Sequence, residues 1–382
     1  MTLIYLVAGE ASGDVLGGRL MTALRRARPE LEFAGVGGPR MAEQGLASLF
    51  PLADLAVMGL AEVLPRLRHL RRRLAEVGED LGRRRPALVV TIDSPGFTLR
   101  VLRQAQALGL RRVHYVAPQV WAWREQRVKH FPGLWDRLLC LLPFEPAWFG
   151  ARGLEARFVG HPVLESGADR GDAGRFRAEH RIAEDAPVVV LMPGSRRSEA
   201  PRLLPVFGDA VARLARAVPG AVPVLPVSPV VADAVRRAAS GWAVPPVVTE
   251  TAEAKHDAYA AAGAALTKSG TSTLELALAG VPMAVTYRVN PLTAMAARRL
   301  IRVPYVAMVN LLAERTLVPE LLQEACNGPR LAGTVEALLR EPARAEAQRA
   351  GFAAVVAKLR APGGDLPSEA AAREVLEVLD QA

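Results

Sequence analysis

The chain has 382 residues, 51% hydrophobic and 23% charged, which suits about two packed cores and is too apolar for a disordered polymer. Its 48 basic residues outweigh 39 acidic ones for a net charge of +9, so an acidic partner is expected: nucleic acid, an anionic membrane or a phosphorylated small molecule. Aromatics at 5%, no zinc-finger spacing and no aromatic-basic RNA motif argue against nucleic acid.

Residues 3–8 read as a buried strand with no basic segment before it, so no secretion signal is expected. The turn Gly9-Glu10-Ala11-Ser12-Gly13-Asp14 follows, then a helix near residues 15–26. This turn is neither a dinucleotide fingerprint nor a P-loop. Its two carboxylates and hydroxyl are either helix caps, through Ser12 or Asp14, or a polar site. A second strand at 32–36 runs into Gly37-Gly38-Pro39. Farther on, Leu64, Leu67, Leu70 and Leu74 share one helical stripe, and arginines including Arg71 cover the rest. That pattern fits an interfacial helix on anionic lipid, and equally a surface helix with its leucines in the core. Residues 295–303 repeat the basic-apolar mixture.

The apolar strand at 87–92 ends in Asp93-Ser94-Pro95. A carboxylate beside such packing either acts as a general base with a raised pKa or forms a turn before the proline. Strands at 112–116 and 136–142 complete the first half. His114 and His161 read as structural, and the six histidines lack metal spacing. Cys140 and Cys326 lie far apart, so a reducing cytoplasm without a disulfide framework is the expectation. No apolar run reaches the ~18 residues of a membrane span.

The pattern restarts after Gly160-His161-Pro162, with 165–172 as a linker. A strand at 188–192 meets Pro193-Gly194-Ser195-Arg196, where glycine admits an anion to the backbone and arginine can clamp phosphate. Strands at 222–227, 262–266 and 282–287 follow, then an Ala-rich helical tail. The segment 266–275 is the most informative. The turn Ser269-Gly270-Thr271 can aim N–H groups at an anion, and Glu275 can accept from a sugar's hydroxyls. Ser272-x-x-Glu275 also fits a plain capping box. Asn310, amid apolar residues, reads alone as a turn former. Strands alternating with helices predict two doubly wound α/β halves with their chemistry at the carboxyl ends of the strands. We expect domains at 1–165 and 166–345, with C-terminal helices at 346–382 that pack back on the first domain or exchange in a dimer.

Taken together, these blocks closely resemble the lipid-A-disaccharide synthases, bacterial glycosyltransferases of GT-B architecture: two Rossmann-like domains facing across a cleft. The resemblance rests on Ala8 to Asp14, Ala56-Val57-Met58-Gly59, Ile92-Asp93-Ser94-Pro95, His114 to Arg124, Leu142-Pro143-Phe144-Glu145, Pro193 to Arg196, Ser269 to Glu275 and Asn310-Leu311-Leu312, in that order. It implies inverting transfer of 2,3-diacylglucosamine from its UDP derivative to 2,3-diacylglucosamine 1-phosphate (lipid X), forming a β-1,6 disaccharide phosphate and UDP. It implies Asp93 as base, with Arg196 and Glu10 also catalytic. UDP would be held by Gly194, Ser195, Arg196, Ser269, Gly270, Thr271, Glu275 and Asn310. Ser12 and Asp14 would face the acceptor, and Leu64, Leu67, Leu70, Arg71 and Leu74 would touch an anionic inner-membrane surface. No cofactor, metal or nucleic acid is implied; family members dimerise. The family often carries a second Asp where this chain has Gly96, which leaves local acceptor contacts open. Alternatives are an enzyme of the UDP-N-acetylglucosamine 2-epimerase type and a non-catalytic basic membrane-binding protein.

Overall fold

The computed structural model describes residues 2–55, 60–194, 199–290, 294–295 and 303–381, with backbone alone for 60–66. The chain forms two compact units: Met1–Pro162 with Leu359–Ala382, and Val163–Lys358.

The first unit is built on a six-stranded parallel sheet in the order β2-β1-β3-β4-β5-β6. Its strands are β1 (Leu3–Ala8), β2 (Glu32–Val36), β3 (Leu88–Ile92), β4 (Arg111–Tyr115), β5 (Arg137–Cys140) and β6 (Ala156–Phe158). The middle strands are apolar on both faces because helices cover both sides. The second unit holds β7 (Val188–Met192), β8 (Val222–Pro226), β9 (Val247–Thr249), β10 (Ala262–Lys268), β11 (Met283–Tyr287) and β12 (Glu320–Leu322). Their order is β12-β11-β10-β7-β8-β9, again all parallel.

Strand order reverses between β1 and β3 in one unit and between β7 and β10 in the other. In doubly wound sheets ligands bind at such switch points, beyond the carboxyl ends of the strands. The turns after β1, β3, β7 and β10 are those singled out in the sequence. Strands β6, β9 and β12 were not expected. Each has three residues at a sheet edge, too short for a readable period.

The expected tail boundary at 346 falls instead at Lys358 and Leu359. The helix Pro342–Lys358 stays in the second unit, where Gln348 accepts from Met283 N at 2.7 Å and donates to Met283 O at 3.1 Å. The helix Pro367–Asp380 belongs to the first unit, placing Ala370, Ala371, Val375 and Val378 in one core with Ile4, Leu6, Leu20 and Leu24. Arg137 on β5 fastens it through Glu374 at 2.6 Å and Glu377 at 2.7 Å.

The membrane-contact expectation needs correction. On the helix Leu60–Arg84, Leu70 and Leu74 continue into Val77 and Leu81, and this stripe packs on Tyr5, Val7, Val89 and Val101. Leu70 and Leu74 are half-buried against that core rather than turned wholly to the surface. Leu67 is half-buried, and the side chain of Leu64 lies outside the described residues. The exposed face carries Arg68, Arg71 and Arg72, while Arg73 turns back to Asp54 and Glu76 and covers the Phe50 ring. Leu74→Ser should therefore cost about 1–3 kcal/mol in a urea titration, through lost apolar burial and a hydroxyl set against the core.

Candidate functional site

In the first unit, Ala8 on β1 is paired with Ile92 on β3, so the turns after these strands are adjacent. Gly9 is required there, because a Cβ at that position would stand 2.1 Å from the Cβ of Ser94. Asp93 and Ser94 both lie in the left-handed region, at φ +55° and +44°. Two successive non-glycine residues there are strained, a condition that concentrates at functional sites. The backbone is held because Asp93 N donates to Tyr115 O at 2.9 Å and the Thr98 hydroxyl donates to Asp93 O at 2.6 Å.

The half-buried Asp93 carboxylate accepts from Ser94 N at 2.7 Å. The Ser12 hydroxyl lies 3.0 Å from Glu10 Oε1 and 3.3 Å from Asp93 Oδ2, so its one proton serves one carboxylate at a time. Burial first, and the neighbouring Glu10 charge second, push Asp93 up to about 6. Glu10, Ser12 and Asp93 thus form one cluster at the switch point. A carboxyl group so tuned is ionised near neutral pH and still basic enough to take a proton from an alcohol in the transition state.

Asp14 does not join them. It is buried, and its carboxylate accepts from the backbone N–H groups of Gly38 at 2.7 Å, Arg40 at 3.0 Å and Met41 at 3.0 Å. The expected acceptor-side role is corrected to holding the turn after β2.

Next to this cluster, Val116 closes β4 at φ +79°, unusual for a β-branched residue. The loop that follows is fastened by buried Glu145, which accepts from Trp121 Nε1 at 3.0 Å, Leu141 N at 3.1 Å and Leu142 N at 2.9 Å. Burial raises Glu145 to about 7. His114 is fully buried, 2.8 Å from Thr91 Oγ1 and stacked on Trp135, and burial lowers it to about 3. Burial also lowers His161, to about 4. Both imidazoles are neutral scaffold groups. Gly96 is exposed with open space around it, so a side chain there would fit.

In the second unit, the turn Ser269-Gly270-Thr271 follows β10, with Gly270 and Thr271 exposed. Glu275 sits one turn into the helix Ser272–Leu278 and accepts from Lys255 Nζ at 2.9 Å and Tyr259 OH at 3.1 Å. It is therefore a fixed, ion-paired acceptor rather than the return half of a capping box. Lys255 and Tyr259, on the helix Ala252–Ala261, were missed in the sequence. Gly194 closes the β7 turn at φ +101°, a conformation that favours glycine. Ser195 and Arg196 lie outside the described residues, as does most of 295–303.

Asn310 is corrected as well. It is fully buried with every polar valence filled: Oδ1 accepts from Leu317 N and Val318 N, each at 2.8 Å, and Nδ2 donates to Val318 O and Glu320 Oε1, each at 2.9 Å. Glu320 in turn accepts from Val306 N and Ala307 N, and Ser269 Oγ donates to Val306 O at 2.7 Å. Asn310 thus supports the Ser269 turn from behind, with its side-chain polar atoms engaged within the protein.

Comparison with known proteins identifies the family and the fold. Residues 4–372 match the family described as lipid-A-disaccharide synthetase. The chain is 62% identical over 379 residues to the lipid-A-disaccharide synthase of Gluconobacter oxydans, covering 99% of this chain and 91% of that one. It is 60% identical over 390 residues to the enzyme of Granulibacter bethesdensis, covering 99% of both. Among solved structures, a Staphylococcus aureus MnaA–UDP complex superposes with TM-score 0.65 at 13% identity, covering 97% of this chain and 94% of that one. The calicheamicin glycosyltransferase CalG4 does so with TM-score 0.59 at 19% identity, covering 100% and 99%. At such identities the structural likeness speaks for the fold alone, an α/β two-domain architecture. The sequence identities speak for more: this chain belongs to the lipid-A-disaccharide synthase family and is a hexosyltransferase.

Proposed function

We propose that the enzyme moves 2,3-diacylglucosamine from its UDP derivative to the 6-hydroxyl of lipid X, with inversion at the anomeric carbon. The observation that carries this reading is the Glu10–Ser12–Asp93 cluster at the first unit's switch point. Asp93 takes the acceptor hydroxyl's proton as its oxygen attacks the anomeric carbon, and the bond to the UDP oxygen breaks. Glu10 keeps Asp93 basic, and Ser12 orients it. The departing diphosphate carries the developing charge, which the Ser269–Thr271 turn and Arg196 stabilise. Glu275, held by Lys255 and Tyr259, takes the hydroxyls of the ribose.

Mixing the protein with UDP-diacylglucosamine and lipid X should release UDP and form the disaccharide phosphate; release of UDP without a disaccharide, or no turnover, would refute the reading. A UDP-N-acetylglucosamine 2-epimerase would instead yield the manno epimer with no acceptor present. Glu275→Gln should weaken UDP binding about tenfold by calorimetry while leaving the melting temperature nearly unchanged, the scale of one hydrogen bond to a charged acceptor.

For the lipid substrates, we propose peripheral attachment at the cytoplasmic face of the inner membrane. Among the described residues, no helix is long and apolar enough to cross a membrane. The exposed arginines Arg68, Arg71 and Arg72 supply an electrostatic face for anionic headgroups.

A further inference from the structure

The second unit carries one partly buried ion pair directly over its switch point. Lys268 closes β10, and Glu199 precedes the helix Ala200–Ala217 that follows β7. These are the two strands between which the order reverses. Lys268 Nζ stands 3.0 Å from Glu199 Oε1, and each side chain is only 17% exposed. On one flank, a Cβ at Gly194 would come within 2.7 Å of Glu199 Oε2, so the carboxylate rests on the bare glycine turn. On the other, Lys268 Nζ lies 5.4 Å from the Tyr287 ring centroid. The pair spans the gap between the Pro193-Gly194 and Ser269–Thr271 turns.

We infer that Lys268 is a further donor-binding cation and that Glu199 is an internal competitor for it. Lys268 exchanges Glu199 for the diphosphate of the nucleotide, and Glu199 retakes it as UDP leaves. Three observations support this. As a brace the pair is weak, because desolvating two charges offsets most of their attraction. Glu199 does not cap its own helix, although it stands at the helix N-terminus, where negative charge is favoured. The chain uses only four lysines among 48 basic residues, and two of them, Lys255 and Lys268, stand in this site paired with carboxylates. A compact ammonium on a flexible stem suits exchange between two anions better than a planar guanidinium.

The inference rests on the proposed seat for UDP in the second unit, and the test separates the two. UDP and uridine binding are measured by titration of the full chain and of Lys268→Met, Lys268→Arg, Glu199→Gln and Glu199→Asp. Lys268→Met should weaken UDP about tenfold or more and leave uridine unchanged, since one charge-assisted phosphate contact is lost. Lys268→Arg should retain most of the affinity. Glu199→Gln should tighten UDP several-fold and slow its release, with uridine again unchanged; Glu199→Asp should fall between it and the parent. Parent protein that fails to bind UDP better than uridine defeats the proposed donor seat. UDP binding that survives in Lys268→Met, or that weakens in Glu199→Gln while uridine binding persists, defeats the exchange and leaves the donor seat standing.

Discussion

Asp93→Asn should lower kcat by about two or more orders of magnitude, the scale expected for loss of a general base, and should at the same time make the protein more stable. The backbone tolerates the change, because asparagine, like aspartate, is enriched at positive φ. The gain follows from the raised pKa. Burial and the Glu10 charge push Asp93 up from the ordinary aspartate value of 3.8 to about 6, so its ionised form is disfavoured in the folded state. That cost is fully present above pH ~6, shrinks as pH falls through it, and is absent below the ordinary range. The amide carries no such cost, so Asp93→Asn should be about 1–3 kcal/mol more stable at pH 8 and indistinguishable from the parent near pH 3, by chemical denaturation. The parent's kcat/KM should fall about tenfold per pH unit below about 6 as Asp93 protonates. Turnover that survives in Asp93→Asn would hand the proton to another group, Glu10 first.

The second large effect is expected at Asn310. Replacing it with alanine strands the N–H groups of Leu317 and Val318 and the carbonyl of Val318 inside the second unit, and takes one of its donors from Glu320. Unsatisfied buried groups cost about 1–3 kcal/mol each, and partial relaxation should leave a net loss of about 3–4 kcal/mol. Because Glu320 also holds the backbone at Val306 and Ala307, against which Ser269 is bonded, UDP affinity should drop together with stability. A direct donor contact would instead weaken binding with little change in the denaturation midpoint, so measuring both decides the matter.

Most of the scaffold was legible in the chain. Most interior strands are largely apolar runs followed by turns of glycine, proline and small polar residues, and parallel sheets place those ends together. The edge strands β6, β9 and β12 were not legible, because three residues carry no periodicity. Among candidate site residues, Asp93 stands out in the sequence because a carboxylate follows an apolar strand broken only by Thr91. Asp14 and Asn310 were misread for a shared reason: their partners are backbone groups brought near by tertiary packing, and a backbone N–H has no signature in the sequence. The leucine stripe at 70 and 74 failed differently. Lipid and protein interior demand the same spacing, and only the buried extension to Val77 and Leu81 separates them. Lys255 could have been suspected from its rarity in an arginine-rich chain. Its pairing with Glu275 needs the fold.

The return of the last helix to the first unit has a consequence for biosynthesis. A ribosome releases the β1–β6 segment long before Pro367–Asp380 leaves its tunnel, so the nascent domain waits with one flank of Leu20 and Leu24 uncovered. The second unit, Val163–Lys358, whose residues form one uninterrupted stretch, can fold without waiting for that helix. Maturation of the Asp93 cluster is thereby tied to completion of the polypeptide, and a prematurely terminated product would keep a complete second unit but an unfinished first one.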